Sequence, residues 1–88
     1  MVVIINGAEI YTKQDFHKQV AMLLNFPHYY GENLDALWDC LFDICPVDIR
    51  WEQFNLSKER LGDYANKARS VFENTNKCHL AITFTCIE

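Results

Sequence analysis

The sequence predicts an α/β protein, a small two-layer sandwich in which a three-stranded parallel sheet packs with about four helices. Three observations predict it. Short β-branched or alternating segments recur at the start, middle and end of the chain. Segments of helical periodicity separate them, an alternation that implies βαβ crossovers and therefore parallel strands. The chain has 88 residues, 50% of them hydrophobic, enough for one core and too few for two. A single domain over residues 1–88 follows.

Val2, Val3, Ile4 and Ile5 form an unbroken β-branched run closed by Asn6 and Gly7. A strand without polar alternation suits burial on both faces, so this one is the candidate for the middle of the sheet. Thr12 is a candidate N-cap, with Asp15 three residues on in a near capping-box pattern. Phe16, Val20, Leu23 and Leu24 then follow at i, i+4, i+7 and i+8, predicting a first helix from Lys13 to Leu24, and Pro27 ends any continuation. Tyr29 to Glu32 is a loop. Asn33 is the N-cap of a second helix from Leu34 to about Phe42, with Leu34, Leu37, Trp38 and Leu41 as its apolar stripe and Pro46 as its stop. Val47, Ile49 and Trp51 alternate with Asp48 and Arg50, a strand with one solvated face. Gln53 to Leu61 is a short helix. Tyr64, Ala68, Val71 and Phe72 mark another, to about Asn76. Leu80, Ile82, Phe84 and Cys86 alternate with Ala81, Thr83 and Thr85 in the last strand.

The formal net charge is −4. That argues against direct nucleic-acid binding, which needs a basic stripe to offset phosphate charge. It suits competition for a basic site, and the field speeds encounter with a cationic partner. Met1 runs straight into the first strand, with no basic n-region and no small-residue cleavage site. No apolar stretch approaches the ~20 residues of a membrane span. The expectation is a cytoplasmic protein without membrane contact. Cys40, Cys45, Cys78 and Cys86 are not expected to pair in that compartment. Cys45, Cys78, His79 and Cys86 match no common zinc spacing, so no metal or cofactor is expected and the cysteines read as small core residues.

The second helix holds the informative residues. Asp35, Asp39 and Asp43 recur every four positions and share one face, opposite the apolar stripe. Like charges so spaced destabilise a helix by a few tenths of a kcal/mol per pair. Asp35 regains some of this near the positive end of the helix dipole, whereas Asp39 and Asp43 do not. Carboxylates in a line resemble phosphates in charge and acceptor chemistry, and arginines or lysines bind either. Tyr29 and Tyr30 precede the helix as rigid amphipathic contacts. An acidic row is also the ordinary form of a solvated helix face, and the pattern alone leaves the two readings open. Catalysis by an Asp35–Asp39 pair, or by Cys40 as nucleophile, lacks a nearby histidine and a site to tune the groups. No catalytic residue is assigned. His17, His28 and His79 are scattered and read as surface or packing residues.

The run Tyr29-Tyr30-Gly31-Glu32-Asn33-Leu34-Asp35-Ala36-Leu37-Trp38-Asp39-Cys40-Leu41 resembles the signature segment of the barstar family, intracellular inhibitors of secreted, guanyl-preferring ribonucleases of the barnase type. Ile5-Asn6-Gly7, Trp51-Glu52-Gln53-Phe54, Ser57-Lys58, Val71-Phe72 and the closing strand also fit. The resemblance implies three parallel strands with helices packed against them. It implies as partner a secreted-type ribonuclease with a basic active site, covered by the second helix and the loop before it. Asp39 would stand in for a substrate phosphate, Asp35 would pair with a further basic group and Tyr29 would stack on the catalytic histidine. Gly31, Asn33, Leu34 and Trp38 would complete the surface.

Two positions depart from the family's type member. Asn74 stands where that protein has an interface acid on the last helix, with Glu73 just before it, and Ile44 stands in place of an interface tryptophan. With Asp43, these mark the edge of the expected surface. A second reading keeps the fold and changes the target, as an immunity or antitoxin-like domain against another toxin or nuclease. The free protein is expected to be a monomer.

Overall fold

The computed structural model describes residues 1–44, 46–78 and 81–88; the expectations placed on Cys45, His79 and Leu80 lie outside these residues. The order of elements is β1 (Val2–Asn6), a single 3₁₀ turn (Gly7–Glu9), α1 (Lys13–Leu24), α2 (Leu34–Asp43), β2 (Val47–Glu52), α3 (Phe54–Leu61), α4 (Asp63–Cys78) and β3 (Ile82–Cys86).

Local chemistry sets the helix starts. The Thr12 hydroxyl accepts from Asp15 N–H at 3.1 Å, and the Asp15 carboxylate accepts from Thr12 N–H at 3.1 Å, which completes the capping box. Asn33 Oδ1 accepts from Ala36 N–H at 2.8 Å, as an N-cap should. α1 ends where Asn25 takes a left-handed backbone, φ 56°, a common way to close a helix.

The three strands are parallel and lie in the order β1-β2-β3. Helical crossovers join sequential neighbours, and burial on alternate residues of each strand puts the helices over one face of the sheet. The inward register rows are Val3–Ile49–Phe84 and Ile5–Trp51–Cys86, and they meet Phe16, Val20, Leu37, Leu41, Phe54 and Phe72 in one core. The outward rows are Val2–Asp48–Thr83 and Ile4–Arg50–Thr85.

The middle strand is therefore β2 and not β1. β1 is an edge, and Val2 and Ile4 are 58% and 46% exposed. Absent polar alternation misled because the outer face is bare along all three strands. The two outward apolar residues of β1 are tolerated there as well-suited strand formers, while β2 shows the same solvated face through Asp48 and Arg50. Of the cysteine expectations, the free thiols hold for the described Cys40, Cys78 and Cys86, while the core placement fails at Cys78 and holds only in part at Cys40 and Cys86. Cys78 is exposed, and Cys40 and Cys86 are half-buried at the margin of the core.

A buried polar node joins the two halves of the sheet's carboxyl end. Trp51 Nε1–H donates to Ser57 Oγ at 3.2 Å, and Ser57 Oγ–H donates to the Gly7 carbonyl at 3.1 Å. A Cβ on Gly7 would be driven into the Gln53 and Glu52 carbonyls and the Ser57 hydroxyl, so this close approach requires glycine. Arg60 donates to the Ala8 and Ile10 carbonyls at 2.6 and 3.2 Å, clipping α3 to the segment after β1. Among the described residues no helix is long and apolar enough to cross a membrane.

Candidate functional site

α2 is amphipathic in the strict sense. Leu37 and Leu41 are fully buried, while Asp35, Asp39 and Asp43 are exposed on the opposite side. Helical geometry of about 100° per residue accounts for this: the three acids span about 80° of arc, centred nearly opposite Leu37 and Leu41. Leu34 and Trp38 are half-buried at the flank, and the Trp38 ring stands edge-on to Phe42 at 5.2 Å. Trp38 thus lies beside the acidic row against Phe42, and Phe42 and Leu34 are the flank residues that pack on the core. Among the described residues no cation pairs with Asp35, Asp39 or Asp43.

The loop before α2 is held from inside and presented outside. Tyr29 is 78% exposed, with its ring against His28 at 5.8 Å. Tyr30 turns inward, packs on Phe26 at 4.9 Å and donates its backbone N–H to the Pro27 carbonyl at 3.0 Å. The Asn33 amide is used at both ends: besides capping α2, Nδ2–H donates to the Gly31 carbonyl at 3.2 Å. Between them Glu32 adopts φ 52°, a left-handed backbone that an L-residue holds only where its surroundings enforce it.

Tyr29, Gly31, Asn33, Asp35, Asp39 and Asp43 thus form one exposed strip along the loop and helix, flanked by Leu34 and Trp38. The edge residues divide. Ile44 caps the end of α2 and packs half-buried against the core. Glu73 and Asn74 lie exposed on α4, which packs against α2. Glu73 pairs with Arg69 at 3.6 Å, and Arg69 also lies 4.0 Å from Glu88. That carboxylate belongs to a charge cluster beside the end of β3.

The strip carries the carboxylates of Asp35, Asp39 and Asp43 close together on one face. Burial pushes the Cys40 thiol up, and the Asp43 and Asp39 carboxylates push it the same way. A nucleophilic cysteine needs the opposite shift, so the catalytic alternative at Cys40 has no support in its surroundings. The sequence reading missed a group behind the strip. His17 is 1% exposed and bonds Tyr30 and Tyr64 through its two ring nitrogens. The available signal was its spacing, three before Val20 and seven before Leu24, on the buried side of α1.

An acidic helix face fixed by a buried opposite face, beside an exposed tyrosine, is carried on a small α/β scaffold of three parallel strands. A family model described as Barstar (barnase inhibitor) matches residues 1–87. A Bacillus subtilis (strain 168) protein named "Putative ribonuclease inhibitor YrdF" is 36% identical over 78 residues, 85% of this chain and 85% of that protein. The chain belongs to the barstar family. That membership supports a role as a ribonuclease inhibitor rather than an enzyme, with a ribonuclease as its binding partner.

Proposed function

We propose that this protein inhibits a barnase-type, guanyl-preferring ribonuclease by laying α2 and the preceding loop across its active site. The observation that carries the proposal is the row Asp35–Asp39–Asp43, exposed and without cationic partners among the described residues, on a helix whose other face is fully buried. Asp39, at the centre, takes the place of a substrate phosphate among the enzyme's cationic side chains. Asp35 pairs with a further basic group, and Asp43 extends the negative field. Tyr29 offers a rigid aromatic face to the catalytic histidine. Gly31, Asn33, Leu34 and Trp38 complete the contact. Binding of this kind is a phosphate mimic's competition, with no chemistry on the inhibitor.

The test is a titration into a barnase-type ribonuclease while RNA cleavage is followed. Activity should vanish near one equivalent. Asp39→Ala should raise the inhibition constant at least about thirtyfold, the usual threshold of a hot spot. Its unfolding free energy should change by less than about 0.5 kcal/mol, as for other exposed helix positions. Added salt should slow association more than it speeds dissociation. The barnase–barstar pair is itself a reference case for both effects, so these magnitudes are those of the class. Equal inhibition by Asp39→Ala would sink the phosphate mimic.

Ile44 and Asn74 support a second reading, in which the same strip serves as an immunity or antitoxin-like surface for another nuclease or toxin. Their departures from the type member fall at the edge of the strip and leave its centre intact. A folded protein that fails against the barnase-type enzyme would favour this reading.

A further inference from the structure

Tyr30 and Tyr64 approach one buried imidazole from its two nitrogens. Tyr30 Oη lies 2.7 Å from His17 Nδ1, and Tyr64 Oη lies 2.6 Å from His17 Nε2. A neutral imidazole has one N–H and one bare nitrogen, so one phenol accepts from the ring and the other donates to it, whichever tautomer holds. Burial lowers the His17 pKa below its ordinary value, against an opposing pull from Glu32, and so favours this neutral form. The three groups come from α1, the loop before α2, and α4. The chain of bonds therefore ties the loop to α1, the helix just before it, and to α4, which is distant in sequence.

Stability alone gives a weak reason for this arrangement. Each polar group loses hydration on burial and regains it only when its partner is accurately placed. An aliphatic residue at 17 would fill the space without that requirement. What a satisfied polar chain adds is a single arrangement of the parts it joins. Here the joined part is Tyr30, whose neighbour Tyr29 is 78% exposed. The backbone of Tyr30 is fixed by its bond to Pro27 and its ring tip by His17, so the direction in which Tyr29 leaves the surface is fixed as well.

We infer that His17 and Tyr64 are positioning residues for the binding strip, acting through Tyr30 to hold residues 27–33 in the geometry that meets the partner, and that neither touches the partner itself. The inference rests on the inhibitor reading given above. Its advantage to binding is preorganisation: a loop already ordered in the free protein loses less entropy on association.

The experiment compares the parent with Tyr64→Phe, Tyr30→Phe and the double variant, each confirmed folded by circular dichroism. Tyr64 is only partly buried, and the substitution removes one oxygen. Two readouts are taken. Amide exchange in the free protein should quicken at Tyr30 and Ala36 in Tyr64→Phe, with Phe72 unchanged. The inhibition constant, measured where every variant is fully folded, should rise about three- to tenfold, the worth of one neutral hydrogen bond. The double variant should inhibit no worse than Tyr30→Phe, because both changes cut one chain. A folded Tyr64→Phe with unchanged loop exchange and an unchanged inhibition constant overturns the inference. An inhibition constant that rises in strict addition in the double variant also overturns it, since that marks Tyr64 as a direct contact. Quickened loop exchange in Tyr64→Phe, with a parent that inhibits no nuclease, keeps the positioning chain and removes the inhibitor reading.

Discussion

Ser57→Ala should weaken the fold far more than a surface serine would. Ser57 and Trp51 are both fully buried, so water cannot take over the bonds that the hydroxyl makes. The indole N–H of Trp51 loses the acceptor at 3.2 Å, and a buried donor left bare costs about 1–3 kcal/mol. The Gly7 carbonyl loses the Ser57 O–H at 3.1 Å but keeps the Ile10 N–H at 3.3 Å, so its share is the smaller net worth of one bond, about 0.5–1 kcal/mol. The sum is about 1.5–4 kcal/mol, a large part of the total for a domain of this size. Urea unfolding followed by circular dichroism measures it, with the slope m expected to stay constant. The melting temperature should fall by roughly 10–20 °C. A loss below about 1 kcal/mol with unchanged m would refute the reasoning, because the indole would then have another partner in the folded state.

Two further outcomes follow from the same physics. Burial lowers the pKa of His17 below 6.5, so the unfolded chain takes up the proton first as pH falls. Stability from this residue is complete above about pH 6.5 and is lost as pH drops through the folded-state value. The urea midpoint should therefore fall between pH 7 and pH 5, and His17→Gln should flatten that fall; an equally steep fall in the variant would clear His17 of the effect. Asp43→Asn should raise the midpoint in low salt by the equivalent of about 0.3–1 kcal/mol, because Asp43 stands four residues from Asp39 and at the negative end of the α2 dipole. High salt should erase the gain, and a lowered midpoint would show that the carboxylate makes a favourable contact.

What the sequence makes legible is local. Thr12 with Asp15, and Asn33 ahead of Leu34, place the starts of α1 and α2 because caps and periodicity act within one or two turns. The spacing of Asp35, Asp39 and Asp43 likewise puts them on one face with no knowledge of the fold. Strand order is different. It depends on which face the crossovers cover, and nothing inside Val2–Ile5 says that Val2 and Ile4 face solvent. Ser57, on α3, has the appearance of a surface serine until the fold brings it Trp51 from β2 and Gly7 from the turn after β1. His17 shares the buried side of α1 with Phe16, Val20 and Leu24, but only the third dimension supplies Tyr30 and Tyr64. The acidic strip was thus readable as a shape, whereas its supports were not.

The division of labour within α2 has a consequence for partner choice. Leu37 and Leu41 fix the helix by full burial, and Asn33 and the His17 chain fix the loop that leads into it. The outward residues Asp35, Asp39 and Asp43 take no part in that fixing, and their mutual repulsion acts against the helix. Under the proposed function, substitutions on the outer face would therefore alter what is bound while changing the fold by less than about 1 kcal/mol. Core changes do the reverse, since they unfold the surface along with everything else. On that proposal, Ile44 at the end of α2 and Asn74 on the neighbouring α4 are where such drift would fall, with the central carboxylates kept. Under the same proposal, one scaffold and one central carboxylate row would be kept while the rim is matched to different ribonucleases.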